Sequence, residues 1–374
     1  MPGSTSNLGL IVFLGGFAIA FVFGAVANRT NFCTMGAVSD VVNMGSWGRM
    51  RMWLLAIAVA ILGTHALQLA GLIDITKSIY VRPNVTWLSY VVGGFLFGVG
   101  MTLGSGCGSK TLVRLGGGSL KSLVVFTFLG IAAYMTLKGL FAIWRTRWID
   151  PVATDLAARH VPRQDLPTVI ATWTGASLPA VEGVVALVVA IALLVFVFKD
   201  RDFRTSFDHV LGGTVVGLVI VAGWYVTGHI GYGENPETLE NTFFGTNSHT
   251  IESLSFVAPG AYTLELLMLW SDKSLAPTFG IGATIGIILG SFAYAVASKT
   301  FRWEGLAGAE DTVNHVVGGI LMGFGGVLAL GCTIGQGLTG FSTLAIGSIL
   351  AFLAIIAGSA VTMRYQYWRM SRTA

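Results

Sequence analysis

Val92-Gly93-Gly94-Phe95-Leu96-Phe97-Gly98-Val99-Gly100-Met101-Thr102-Leu103-Gly104-Ser105-Gly106-Cys107 returns 225 residues later as Val317-Gly318-Gly319-Ile320-Leu321-Met322-Gly323-Phe324-Gly325-Gly326-Val327-Leu328-Ala329-Leu330-Gly331-Cys332. Nine of the sixteen positions are identical, including both closing Gly-Cys pairs. Agreement of that length is hard to reach by chance even in Gly-rich sequence, so the chain reads as two related halves. A second match, Leu14-Gly15-Gly16 against Leu211-Gly212-Gly213, is short and carries little weight. Each copy of the long repeat is an apolar run that stops on Gly and Cys, and the surrounding composition says which solvent such a run is built for.

Of 374 residues, 54% are hydrophobic and 11% charged, against about 25% charged in an ordinary soluble domain. That composition cannot cover a globule in water. A transmembrane helix needs roughly 20 mostly apolar residues, and the chain supplies such runs between short polar punctuation. The fold class is therefore an all-α polytopic membrane protein. Nine spans are predicted, at 8–26, 52–72, 87–103, 122–143, 179–198, 209–227, 278–298, 313–330 and 338–362. Two further stretches, Thr30 to Trp47 and Phe256 to Trp270, are apolar but short or rich in Gly, Ser or Pro, and read as re-entrant or interfacial segments. Leu8 to Val26 lacks a basic leader and is long enough to stay as a span.

The net charge of +4 sits at the ends of apolar runs and forms no stripe, so it reads as a topology signal and not as a nucleic-acid footprint. With the N-terminus periplasmic and the C-terminus cytoplasmic, fourteen of the 22 basic residues fall inside, among them Arg29, Arg49, Lys110, Arg114 and Arg369. The acidic stretch with Glu234, Glu237, Glu240 and Glu252 then falls outside. Residues 1–150 form a first membrane repeat, 151–204 an outer loop and connecting helix, and 205–374 a second repeat that the odd connecting helix turns upside down. An inverted repeat places a transport site near the midplane between the halves. Trp53, Trp87 and Trp144, near span ends, read as an aromatic belt.

Three segments carry the chemistry: Asn28 to Ala37 around Cys33, Gly104 to Gly116 around Cys107, and Gly331 to Gly340 around Cys332. Each sets one Cys among Gly, Ser or Thr at the end of an apolar run. Glycine lets a helix stop inside the membrane, and the free N–H groups of the next short helix favour an anion. The three cysteines form no CxxC or Cys/His cluster, which argues against structural zinc and thioredoxin chemistry. A lone buried Cys is ordinarily a packing residue, but two of these hold equivalent repeat positions. For Arg29, Lys110 and Arg114, attraction of an anion stands beside topology and headgroup contact. Gln336 either donates to substrate or satisfies broken backbone. His65 and His315 read as packing or interfacial residues.

On these three segments the sequence resembles the YeeE/YedE family of membrane proteins, most closely its thiosulfate-uptake members, over nearly the whole chain. The resemblance implies an inner-membrane transporter, shaped like an hourglass, in which Cys33, Cys107 and Cys332 line a central path and pass thiosulfate along by S–H hydrogen bonds. It also implies a small cytosolic sulfurtransferase-type (TusA-like) partner. The polar stretch Gly233 to Ser255 is longer than the family pattern. The chemistry suits the substrate class: thiosulfate or a related sulfur anion has hard oxygens at one end and a soft sulfur at the other. A thiolate would repel it or attack its terminal sulfur, whereas a thiol kept neutral by apolar surroundings is a weak donor that binds without trapping. No cofactor, metal or nucleic acid is expected, and membrane lipid is the surrounding partner. Walker motifs are absent, so no ATP hydrolysis is assigned to this chain. Two other classes stay open: a membrane-integral thiol redox or sulfur-transfer protein, and a soft-metal transporter.

Overall fold

A computed structural model describes residues 3–235 and 238–373. Glu237, counted above in the acidic stretch, lies outside the described residues. The helices are α1 (Gly3–Arg29), α2 (Thr34–Ser39), α3 (Gly48–Leu69), α4 (Trp87–Leu103), α5 (Gly108–Gly116), α6 (Leu120–Leu137), α7 (Leu140–Trp144), α8 (Leu166–Thr174) and α9 (Leu178–Phe198). They continue with α10 (Arg201–Thr205), α11 (Phe207–Tyr225), α12 (Ala258–Met268), α13 (Phe279–Ala297), α14 (Ala309–Leu328) and α15 (Ile346–Thr373). Two antiparallel pairs of very short strands, Asn84–Val85 with Thr154–Asp155 and Tyr232–Glu234 with Asn241–Phe243, tie loops together.

Among the described residues, eight helical segments are long and apolar enough to cross a membrane. The predicted span 313–330 lies in α14, whose first turns carry Glu310, Asp311, Asn314 and His315 and dilute its apolar character. It nevertheless runs the length of α4 and α6. The start of α1 packs near Gly245, and Arg369 in α15 reaches Glu310 at the start of α14. The expected span 338–362 starts later than predicted, at Ile346, because residues before it belong to a broken segment. The span 122–143 ends early at Leu137, where Gly139, in extended backbone, separates α6 from α7.

The repeat is visible as packing. Exchanging α1 with α11, α3 with α13, α4 with α14 and α6 with α15 maps the main helix pairs onto one another. Thus α1 lies on α13 as α11 lies on α3, and α14 lies on α6 as α4 lies on α15. The repeated helices α4 and α14 meet each other antiparallel. A Cβ added to Gly93 would meet the Gly325 carbonyl oxygen at 2.7 Å, and one on Gly325 would meet that of Gly93 at 2.6 Å. The shift of 225 carries this contact onto Gly318 and Gly100, where the two distances are 2.8 and 2.7 Å. The halves are therefore related by an inverted repeat whose axis passes between these glycines. In lipid, where apolar burial gives little drive between helices, such close backbone approach supplies dispersion contacts that bulkier residues would block.

One aromatic expectation is corrected. Trp87 and Trp144 are exposed, as a belt requires, but Trp53 is 1% exposed. Its ring stacks between Phe32 at 4.7 Å and Phe352 at 5.7 Å, because α3 runs through the centre of the bundle and its first turn is already covered by α2 and α11. The connecting helix α9 packs chiefly on α3, where buried His65 and Glu182 meet at 3.2 Å. His315 likewise has a partner, the Asp311 carbonyl at 2.7 Å.

Candidate functional site

The three cysteines stand in one backbone device built three times. A long helix ends, one residue turns left-handed, and two residues later a Cys opens a short helix. The left-handed residues are Asn31 (φ 51°), Ser105 (φ 57°) and Leu330 (φ 56°). In each break an N–H reaches back five residues to close the helix: Phe32 to Ala27 at 3.2 Å, Gly106 to Met101 at 2.9 Å and Gly331 to Gly326 at 2.8 Å. This is the Schellman geometry, which usually places Gly in the left-handed position. Here none of the three is Gly, and a non-Gly residue in that region carries strain.

The next helix starts at the cysteine. The carbonyls of Cys33, Cys107 and Cys332 accept the first helical bonds, from Ala37 at 3.0 Å, Thr111 at 2.8 Å and Gln336 at 2.7 Å. The N–H groups of the residues just after each Cys have no intrahelical partner, as at every helix start. The thiols take up some of this field: Cys33 Sγ accepts from the Gly36 N–H at 3.3 Å and Cys332 Sγ from the Gly335 N–H at 3.4 Å. Cys107 Sγ lies 3.3 Å from the Ser109 hydroxyl. All three are buried and unpaired by disulfide. Cys107 is the electrostatic neighbour of both Cys33 and Cys332, so the three breaks converge.

The fourth break, after α11, departs from the plan. The helix runs on to Ile230, and the chain then takes the long polar excursion 231–257 before α12. Val257 caps α12 where its counterpart α2 has Cys33. The stretch that is long for the family pattern is thus the fourth break, expanded.

Two buried hydroxyls beside the thiols lack partners. Thr34 follows Cys33 and Thr333 follows Cys332, and neither Oγ1 finds a hydrogen-bond partner among the described residues. Buried polar groups are nearly always satisfied, and one left open costs about 1–3 kcal/mol. Gln336 splits its roles: its amide nitrogen donates to the Ala329 carbonyl at the broken end of α14, while its Oε1 has no partner among the described residues. Hydroxyls, free N–H groups and thiols together form a donor set for a small anion with one soft end.

Two cavities lie next to the helix breaks. One, of about 180 Å³, is lined by Asn28, Asn31, Lys110, Arg114 and Glu304. Lys110 Nζ donates to Asn31 Oδ1 at 3.4 Å and makes no ion pair among the described residues; it is an electrostatic neighbour of Cys33 and Cys107. Arg114 is tied down, donating to the Ser105 carbonyl at 3.0 Å and Glu304 at 3.2 Å. Arg29 is not brought to the centre: it pairs with Asp208 at 3.1 Å on the exposed ends of α1 and α11. Sequence reasoning missed Arg49, whose guanidinium pairs with Asp40 through two nitrogens and rests against Gly36 beside Cys33. The second cavity, of about 190 Å³, is lined by Tyr80, Ser253, Ser255 and Gly331 and ends beside Cys332. Tyr80 and Ser255 both lie beside Gly335; neither carries a sequence signal, since both lie in the connections between the long helices.

Residues 29–361 match the family model described as sulphur transport. The thiosulfate transporter TsuA of Escherichia coli K12 is 28% identical over 345 residues, covering 87% of this chain and 86% of that protein. The thiosulfate transporter TsuA of Spirochaeta thermophila is 26% identical over 354 residues, covering 92% and 96%.

Proposed function

The chain belongs to the sulphur transport (YeeE/YedE) family, and on that premise we propose that it carries thiosulfate inward across the bacterial inner membrane along a path formed by Cys33, Cys107 and Cys332. The observation that supports this reading most directly is the threefold use of one helix break, each with a thiol at the start of a short helix, two of them followed by a buried hydroxyl with no partner. A soft sulfur suits the thiols, and the sulfonate oxygens suit the hydroxyls and N–H groups. In sequence none of the three Cys motifs carries an adjacent His or a second Cys to activate or resolve its thiol, which favours passage over chemistry. No group of three or more metal-ligating side chains occurs among the described residues.

Within this reading, residues 1–150 and 205–374 are the two membrane repeats and 151–204 the connecting unit. The face with Lys110 and Arg114 is cytoplasmic, where the Lys110 ammonium, which makes no ion pair among the described residues, draws the anion out of the path and a TusA-like sulfurtransferase receives it. Moving a dianion inward against about 100 mV costs roughly 4.6 kcal/mol. A receiving enzyme that consumes thiosulfate, or a coupled cation, meets that cost. The deciding experiment is uptake of labelled thiosulfate into proteoliposomes with sulfate, sulfite and selenite as competitors. Equal inhibition by sulfate, which lacks the soft sulfur, overturns the role of the thiols. Orientation is tested in intact cells: Glu240→Cys is expected to label from outside and Arg369→Cys only after permeabilisation.

A further inference from the structure

The cavity beside Cys332 holds one group that neither the thiol path nor the packing uses. Glu252, in the expanded fourth break, lines this cavity with Tyr80, Arg145, Ser248 and Ser255. Its position is fixed from two sides. Its backbone N–H donates to Thr227 Oγ1 at 3.2 Å, and the Thr227 hydroxyl donates back to its carbonyl. Its carboxylate accepts from the Ser248 hydroxyl at 2.8 Å and from the Asn247 N–H.

Among the described residues no cation pairs with that carboxylate. The titratable groups facing it are Tyr80 from the loop after α3 and Tyr262 from α12. Arg145, at the end of α7, shares the cavity but pairs with Asp150 at 3.4 Å. Behind Tyr262, Lys138 just past the end of α6 pairs with Glu265 of α12 at 3.3 Å. Tyr80 is the electrostatic neighbour of both Glu252 and Cys332, so an anion reaching Cys332 through this cavity passes the carboxyl group.

We propose that Glu252 gates admission of the anion by protonation: as a neutral acid it donates an O–H to an oxyanion oxygen, and as a carboxylate it closes the cavity by like-charge repulsion. No bond to the anion forms, and the proton stays on the carboxyl oxygen during passage. Burial pushes this carboxyl up to about 7, so both forms are populated near neutral pH. Thiosulfate is fully ionised in that range and contributes no titration of its own. The proposal rests on the anion-transport reading above, and it adds a proton dependence to admission.

The test measures access to Cys332 in the purified protein, where membrane orientation plays no part. An anionic and a neutral methanethiosulfonate reagent are compared, with modification assigned to Cys332 by peptide mass. Their rate ratio at each pH cancels the thiol's own ionisation. In the wild type the anionic-to-neutral ratio is expected to fall several-fold between about pH 6 and about pH 8. In Glu252→Gln it stays high and flat. Ser248→Ala removes a donor that stabilises the carboxylate, so its midpoint moves to higher pH. A wild-type ratio independent of pH, or the wild-type pH dependence kept in Glu252→Gln, overturns the proposal. Failure of both reagents to reach Cys332 at any pH overturns it too, because the cavity is then no entrance. Thiosulfate uptake is measured in parallel; its absence with the labelling pattern intact rejects the substrate and leaves the gate standing.

Discussion

Thr34 and Thr333 occupy the same place in two copies of one helix break, each directly after a cysteine and each with a buried hydroxyl that no described residue satisfies. A hydroxyl kept for stability would have a partner to lose. Thr34→Val and Thr333→Val are therefore expected to leave the melting temperature unchanged or raise it, since replacing an unsatisfied buried hydroxyl by a methyl is neutral to stabilising. Thiosulfate uptake should fall several-fold. Loss of stability with normal uptake per folded molecule would assign these hydroxyls to packing.

Cys107 and Cys332 are repeat mates, and serine tests them more sharply than alanine. It keeps a donor but replaces a soft, weakly hydrated group by one that prefers oxygen partners. Cys107→Ser and Cys332→Ser are expected to fold with a loss of roughly 1 kcal/mol and to transport at least about tenfold more slowly, a barrier increase of about 1.4 kcal/mol. Labelled uptake at matched expression checks this. Parental rates in all three Cys→Ala variants would make the cysteines packing residues.

Lys110 and Arg29 carry the same charge and stand in different surroundings. Lys110 lines its cavity without an ion pair among the described residues, whereas Arg29 is paired with Asp208 at the surface. Lys110→Met should therefore slow release of the anion and lower kcat for uptake several-fold, with the effect shrinking at high salt as charges are screened. Arg29→Gln should leave uptake kinetics near the parental values, because an exposed pair contributes about 1 kcal/mol or less.

Gly290 tests the close packing outside the site. A Cβ there would meet the Phe21 carbonyl oxygen at 1.9 Å, so α13 and α1 cannot keep their separation. Gly290→Ala is expected to destabilise by roughly 1–3 kcal/mol, read as a lower melting temperature in detergent. Gly9→Ala, where added atoms meet open space, serves as the control and should melt like the wild type.

The membrane class, the repeat and the connecting helix were legible in sequence because apolar runs and a near-identical sixteen-residue segment survive as letters. The connecting helix, predicted from Pro179, begins at Leu178. The Cys33 segment reads in sequence as a third Cys among small polar residues, but the turn shared by all three does not, because Asn31, Ser105 and Leu330 stand where glycine is the usual signal. Trp53 misled for a related reason: position near a span end does not tell whether neighbouring helices cover that end. Arg49 and Tyr80 join the site only through tertiary contacts, since each comes from a segment that sequence alone assigns to a loop or a span end. Glu252 was visible only as one acid among several in a polar stretch, until the fold set it against a cavity wall.

The reciprocal contacts of Gly93 with Gly325 and Gly100 with Gly318 bring two main chains together with no side chain between them. Sliding or tilting one half against the other would open that seam and leave a gap that nothing nearby can fill. If that seam holds during transport, the two halves act as a single casting and the motion that admits and releases an anion falls to the short helices and loops at the breaks. Such a machine resembles a turnstile set in a fixed frame more than a pair of rocking jaws.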